Sequence, residues 1–98
     1  MLDLAKVQCS EFAACVNQDF EIAASGGRLV LQLSEARPWG SGAGTEREPF
    51  ALTFRGAPQL RLPQGIYKMS HAQLGEMEIF LVQIAGDQSN STFEAVFN

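Results

Sequence analysis

The sequence predicts a mainly β fold: a small antiparallel six-stranded barrel or sandwich with one short N-terminal helix. Apolar residues recur at every second position in several short segments, which is the period of a strand with one buried face. Residues typical of turns separate these segments, so neighbouring strands can pair directly. Six such strands curl into a barrel or stack as two layers, because an open sheet would leave one apolar face in water.

The first element along the chain is a predicted helix over residues 8–16. Ser10 is its expected N-cap. Phe12, Cys15 and Val16 follow at the i, i+3, i+4 spacing that places side chains on one helix face. Because so short a helix is not stable alone, we expect it to plug one end of the β core.

The next two segments are predicted to form a hairpin. Residues 19–24 alternate between apolar and polar side chains, and residues 28–35 carry three leucines at alternate positions. Gly26 and Gly27 lie between the two segments, and paired glycines favour tight hairpin turns. Residues 38–48 then break the alternation with three glycines, so this segment is predicted to be a flexible Gly-rich loop.

Alternation resumes in the second half of the chain. Residues 50–55 form a predicted strand, and residues 60–65 form an extended crossing segment that ends in a turn. Three further strands, over residues 66–71, 76–84 and 93–97, are predicted to form an antiparallel meander.

Two expectations concern the strands of this meander. Phe80, Leu81 and Val82 are apolar on both faces of the middle strand, so this strand is expected to be central or covered on both sides. The last strand ends close to the C-terminus, and it is expected to lie at a sheet edge where another chain can pair with it.

Length and charge restrict the class of protein. The 98 residues suit one domain, so residues 1–98 are taken as a single β domain. The net charge is −4 and the basic residues are scattered, which argues against nucleic acid and anionic membranes as partners. Because the sequence shows neither a secretory signal nor an apolar run long enough to cross a bilayer, a cytoplasmic location is expected.

The residue types that usually carry chemistry are few and poorly spaced. Cys9 and Cys15 lie six residues apart, which fits neither a redox pair nor half of a zinc site, so both are expected to be reduced. His71 is the single histidine, and the sequence indicates no group that would orient it as a general base. We therefore predict no catalytic, metal or cofactor site, and we do not expect an enzyme.

Four residues are candidates for an interaction site: Trp39, Arg55, Tyr67 and His71. Trp39 lies at the base of the Gly-rich loop. Exposed tryptophans are enriched at protein interfaces, although a tryptophan at this position can also cap the mouth of a barrel. Tyr67 and His71 are the polar groups that can line a ligand pocket at that mouth.

Five short motifs stand out in the second half of the chain: PFALTFRG at 49–56, LPQGIY at 62–67, HAQLG at 71–75, FLV at 80–82 and FEAVFN at 93–98. Together they resemble a family of small uncharacterised bacterial proteins, a domain of unknown function. The resemblance implies an association with phage-tail-collar-like proteins and hence a structural or assembly role. It implies no catalytic residue.

Two function classes follow from these observations. The first is a protein-interaction or assembly module without catalytic activity, in a phage-tail-like structural system. Such a module would bind a protein partner or a second copy through an edge strand or the loop around Trp39. The alternative is a small-ligand-binding β barrel that uses its mouth as the pocket.

Overall fold

The strands close into a barrel in a computed structural model that describes residues 7–24, 27–38, 49–58 and 60–97. In chain order the elements are α1 (Cys9–Ala13), β1 (Asp19–Ala24), β2 (Gly27–Pro38), β3 (Phe50–Gly56), β4 (Gly65–His71), β5 (Gly75–Gly86) and β6 (Ser91–Phe97). The predicted class, a mainly β fold of six antiparallel strands with a short helix near the N-terminus, is confirmed. Of the two arrangements left open, the barrel is the one that forms.

Each strand pairs with a neighbour on both sides, in the order β1-β2-β3-β6-β5-β4 around the barrel. The predicted hairpin is present, with Ala24 opposite Gly27, and so is the predicted meander of β4, β5 and β6. The expectation that the last strand lies at an edge is wrong. Closure of the sheet places β6 between β3, with which it pairs along its whole length, and β5.

The helix is shorter than the predicted range 8–16, because α1 covers only Cys9–Ala13. Beyond it, the N–H of Cys15 donates to the Phe12 carbonyl at 2.8 Å, and the N–H of Gln18 donates to the Cys15 carbonyl at 3.0 Å. Both bonds span three residues instead of the four of an α-helix. The chain therefore continues in tight turns that keep the apolar spacing without extending the helix.

The N-cap of α1 is Gln8 and not the predicted Ser10. The backbone N–H of Gln8 donates to Oε2 of Glu11 at 2.7 Å, and the N–H of Glu11 donates to the Gln8 carbonyl at 3.0 Å. Because the Glu11 carboxylate reaches back to the preceding turn, the helix starts two residues earlier than a Ser10 cap would allow.

The N-terminal segment plugs one end of the barrel through Phe12, as predicted. The centroid of its ring lies 6.4 Å from that of Phe20, 6.0 Å from that of Phe50 and 5.9 Å from that of Phe97. Phe50 and Phe97 are direct partners on β3 and β6, and their rings stack at 4.7 Å. Four phenylalanines from three strands and the helix thus seal this end.

Alternate strand residues fill the interior, as the period-2 pattern predicts. Among the strand residues predicted to point inward, Leu31, Leu33, Phe50, Leu52 and Phe54 are fully buried in the first half of the barrel. Leu29, predicted to share the face of Leu31 and Leu33, is only half-buried against the core. The second half contributes a further set of buried residues: Met69, Met77, Ile79, Leu81, Phe93 and Ala95. Side chains therefore occupy the space inside this barrel, as is usual for barrels with few strands.

The crossing segment between β3 and β4 is held by one side chain of β5. Nε2 of Gln83 donates to the Leu60 carbonyl at 2.8 Å, and its Oε1 accepts the N–H of Leu62 at 3.0 Å. The hydroxyl of Ser91 also donates to the Ala57 carbonyl at 3.0 Å, at the end of β3. These bonds satisfy backbone groups of a segment that belongs to no strand.

A substitution at Gly56 tests the packing at this end. A Cβ there would lie 2.8 Å from Cδ2 of Leu31, 2.9 Å from Oγ of Ser91 and 3.0 Å from Cδ2 of Leu60. We expect Gly56→Ala to lower the free energy of unfolding by about 1–3 kcal/mol, since three neighbours must shift together. Gly65→Ala is the matched control, because nothing lies within 4 Å of a Cβ there. Urea unfolding measures both variants, and equal losses would contradict this packing.

Candidate functional site

Of the four predicted interaction residues, the three that the structure describes do not lie together. Trp39, with the rest of the segment 39–48, lies outside the described residues. Arg55 is exposed on the outside of β3, whereas Tyr67 and His71 lie on the inner side of β4. Tyr67 and His71 are also four residues apart on one strand, which separates them by about 13 Å.

Tyr67 has a local structural contact. Its hydroxyl donates to the carbonyl of Pro63 at 2.6 Å, and its ring is half-buried against the core. The bond ties the turn before β4 to the strand itself. Tyr67 therefore stabilises the start of β4.

His71 is buried at the other end of β4, with both ring nitrogens in hydrogen bonds. Nδ1 accepts the backbone N–H groups of Gln73 at 3.1 Å and Leu74 at 3.2 Å. An imidazole nitrogen that accepts cannot carry a hydrogen, so the neutral ring is protonated at Nε2. Nε2 then donates to Oε1 of Gln18, 2.7 Å away. The ring thereby links the β4–β5 turn to the residue that precedes β1.

The position of His71 matters because β1 and β4 are joined by a short ladder. Glu21 pairs with Ser70 and Ile22 pairs with Met69. Continuing the same register places His71 opposite Phe20, and the centroids of their rings are 4.5 Å apart. Side-chain contacts of His71 thus hold β1 and β4 together beyond the two residue pairs of the ladder.

Burial acts on the ionisation of two groups in this part of the protein. It lowers the pKa of His71 below the ordinary value of 6.5, because the charged imidazolium loses hydration inside the protein. It raises the pKa of the Cys15 thiol above 9.0 for the same reason. Cys9 and Cys15 form no disulfide, as expected, and Sγ of Cys15 donates to the Glu11 carbonyl at 3.6 Å.

Two shallow depressions follow the junction of β1 and β4, with volumes of about 210 Å³ and 380 Å³. Both are lined by Glu21 and Ser70. Arg28 lines the smaller one and lies 3.5 Å from the Glu21 carboxylate, in an ion pair that is largely exposed. Exposed pairs of this kind stabilise weakly, and small-molecule sites are usually more apolar and enclosed.

A metal centre finds no support in the described ranges. No group of three His, Cys, Asp or Glu side chains there is arranged to hold a metal ion. The same ranges contain no helix long and apolar enough to span a membrane.

The outer surface is apolar where β4, β5 and β6 adjoin. Phe80 is 51% exposed, and Ile66, its direct partner on β4, is 69% exposed. Val82 occupies the next outward position of β5 and is half-buried. Val96 on β6 is 51% exposed and lies two residues beyond Glu94, the partner of Val82. We call Ile66, Phe80, Val82 and Val96 the apolar face.

Of the two alternatives for β5, central or covered on both faces, the structure shows the first: β5 lies between β4 and β6, and its outer face is not covered. Its inner residues Met77, Ile79 and Leu81 are buried in the core. Phe80 points outward and stays half exposed, because a closed barrel has one interior and offers nothing to cover a second apolar face. The apolar segment from Phe80 to Val82 therefore marks a strand whose outer face is exposed.

Carboxylates border the apolar face. Glu78 is the outward residue before Phe80 on β5, and Glu94 points outward on β6. Within the part of the chain that the structure describes, neither carboxylate forms an ion pair. Lys68, the partner of Glu78 in register, lies 3.6 Å from Glu76 instead. Two carboxylates without an ion pair among the described residues therefore lie at the border of the apolar face.

Sequence reasoning missed this face. Ile66 and Phe80 are fourteen positions apart in the chain, and only the register of β4 with β5 makes them neighbours. The apolar face could have been predicted from the segment from Phe80 to Val82, which is apolar on both faces of the strand. Outward Ile66 at the start of the adjacent strand was the second signal.

A family model described as Domain of unknown function (DUF6916) matches residues 7–97. The match runs from just before α1 to the end of β6, and so includes every element of the barrel. It confirms the expectation that the chain belongs to a family of domains of unknown function. No curated protein and no solved structure matches the chain.

The burial of His71 yields a pH prediction. Below about pH 6.5 the unfolded chain takes up a proton on this residue more readily than the folded protein does. The stability that His71 contributes is therefore fully present above 6.5 and decreases as the pH falls below it.

Chemical unfolding at a series of values from about pH 7.5 to about pH 5.5 measures this effect. His71→Gln is the comparison, because His71 is the only histidine in the chain. We expect the unfolding free energy of the wild type to fall across this range and that of the variant to change less. If the unfolding free energies of the two proteins changed equally with pH, buried His71 would not be the cause of the change.

Proposed function

Because the chain belongs to the family described as Domain of unknown function (DUF6916), which states no activity, we propose its function from the barrel surface. We propose a protein-interaction or assembly module that holds a protein partner on the apolar face. Catalysis and bound cofactors have no part in this proposal. The resemblance to proteins that accompany phage-tail-collar-like proteins supports a phage-tail-like structural system as its setting.

The observation that carries the proposal is the outward pairing of Ile66 with Phe80. Single exposed apolar residues are common on proteins and need no explanation. Here the side chains of two adjacent strands are exposed at directly opposed positions, at 69% and 51%. Val82 and Val96 extend the same surface along β5 and onto β6. Contiguous apolar surface rimmed by charged residues is characteristic of protein interfaces.

The closed barrel determines how a partner would bind. An open sheet can accept a further strand through the free backbone groups at its edge. Each strand of this barrel already has a neighbour on both sides. Recognition of a partner by side chains on the outer wall is therefore better supported than addition of a partner strand at β6.

The ligand-binding alternative has less support. Fully buried phenylalanine, leucine, isoleucine and methionine side chains occupy the interior. Tyr67 and His71, the polar groups expected to line a pocket at the mouth, make hydrogen bonds within the protein instead. The depressions at the junction of β1 and β4 are shallow and charged. The apolar face is thus the better candidate for a binding surface.

Substitution of the two central residues tests the proposal. Wild type, Ile66→Ser, Phe80→Ser and Val30→Ser proteins are immobilised and exposed to extract from the source organism. We expect partners captured by the wild type to be lost with Ile66→Ser and Phe80→Ser, because the centre of an interface usually carries most of its binding energy.

Val30→Ser is the matched control for this experiment. Val30 is 52% exposed, close to the 51% of Phe80, but it lies on β2, across the barrel from β5. Capture should survive this change. All three substitutions should alter the unfolding free energy by less than about 0.5 kcal/mol, since they act on exposed positions. Equal capture by all four proteins would contradict the proposal.

A further inference from the structure

We infer that the occupant of the apolar face is a segment of another protein in which an apolar side chain is flanked by Lys or Arg residues. This inference rests on the proposed function and specifies the chemistry of its partner. It follows from the charges that border the face.

The carboxylates at the border have no cationic partner of their own within the described ranges. Glu78 lies beside Phe80 along β5, and Glu94 lies opposite Val82 on β6. Neither is ion-paired there. Lys68 lies opposite Glu78 in register but 3.6 Å from Glu76, and Arg55 is exposed two residues along β3 from Thr53, the partner of Glu94. A partner that covers the apolar centre would bring its own charges against these two carboxylates. Lys or Arg at those positions would be attracted, and Asp or Glu would be repelled.

A second copy of this chain fits the same border less well. A symmetric dimer through the apolar face would place identical surfaces against each other. The unpaired carboxylates of both copies, Glu78 and Glu94 of each, would then lie in one interface. The chain also carries a net charge of −4, so its long-range field opposes self-association.

The apolar face would form the centre of an interface. A standard interface buries about 800 Å² on each partner, with an apolar centre and a polar rim. Ile66 and Phe80 would supply the centre. The acidic residues of β5 and β6 would supply the rim, where charges govern the choice of partner and the rate of association.

A random peptide library displayed on phage is the probe that tests the inference. The library is selected on the wild-type protein after depletion on Phe80→Ser, which retains only peptides that need the apolar face. We expect the selected peptides to carry an aromatic or aliphatic residue flanked by Lys or Arg. Their binding to the free protein is then measured by fluorescence anisotropy at low and high salt.

Charge variants separate the contribution of the border from that of the centre. Glu78→Lys and Glu94→Lys should each weaken the selected peptides about fivefold, the upper range for one exposed charge pair. Glu35→Lys is the matched control, because it makes the same charge change on β2, across the barrel from β5. The control variant should bind like the wild type at moderate salt, where charges farther apart than about 8–10 Å are screened.

Failure of this inference can be told from failure of the proposed function. Peptides that need Phe80 but lack basic residues, or bind Glu78→Lys as well as wild type, would overturn the inference alone. A selection that yields no Phe80-dependent peptide would overturn both. Light scattering could also show that the wild type is a dimer and that Phe80→Ser is a monomer. That result would overturn the inference, because the face would then bind a second copy.

Discussion

The junction of β1 and β4 is the contact on which the closed barrel depends. Two residue pairs join these strands, whereas six join β1 to β2 and seven join β4 to β5. The rings of Phe20 and His71, 4.5 Å apart, and the bond from His71 to Gln18 add side-chain contacts where the ladder is short. Without this junction β1 and β4 would be free edges, and free edges invite pairing with other chains.

Closure of the barrel also explains why the proposed binding surface lies on the outer wall. Every strand has two neighbours, and apolar side chains fill the interior. What remains available is the pattern of outward side chains. On β5 this pattern changes from acidic at Glu76 and Glu78 to apolar at Phe80 and Val82, which concentrates apolar surface and negative charge at one place.

Much of the fold was predictable because strand burial is a local property. Inward residues such as Leu31, Leu52 and Phe54 follow from alternation alone. The end of α1 was not predictable, because tight turns can place Phe12 and Cys15 inward as well as a helix does. The role of His71 depends on Gln18, 53 residues away in the chain, and the apolar face depends on the register of β4 with β5. Such contacts exist only after the strands have paired.

The most direct test of this account is a set of NMR contacts across the junction of β1 and β4. We expect nuclear Overhauser effects between the rings of Phe20 and His71, between the backbones of Ile22 and Met69, and a His71 ring protonated at Nε2 near neutral pH. If these contacts were absent while those of the β1–β2 hairpin and the β4–β5 pair were present, the sheet would be open. Edge pairing would then replace the outer wall as the basis for binding.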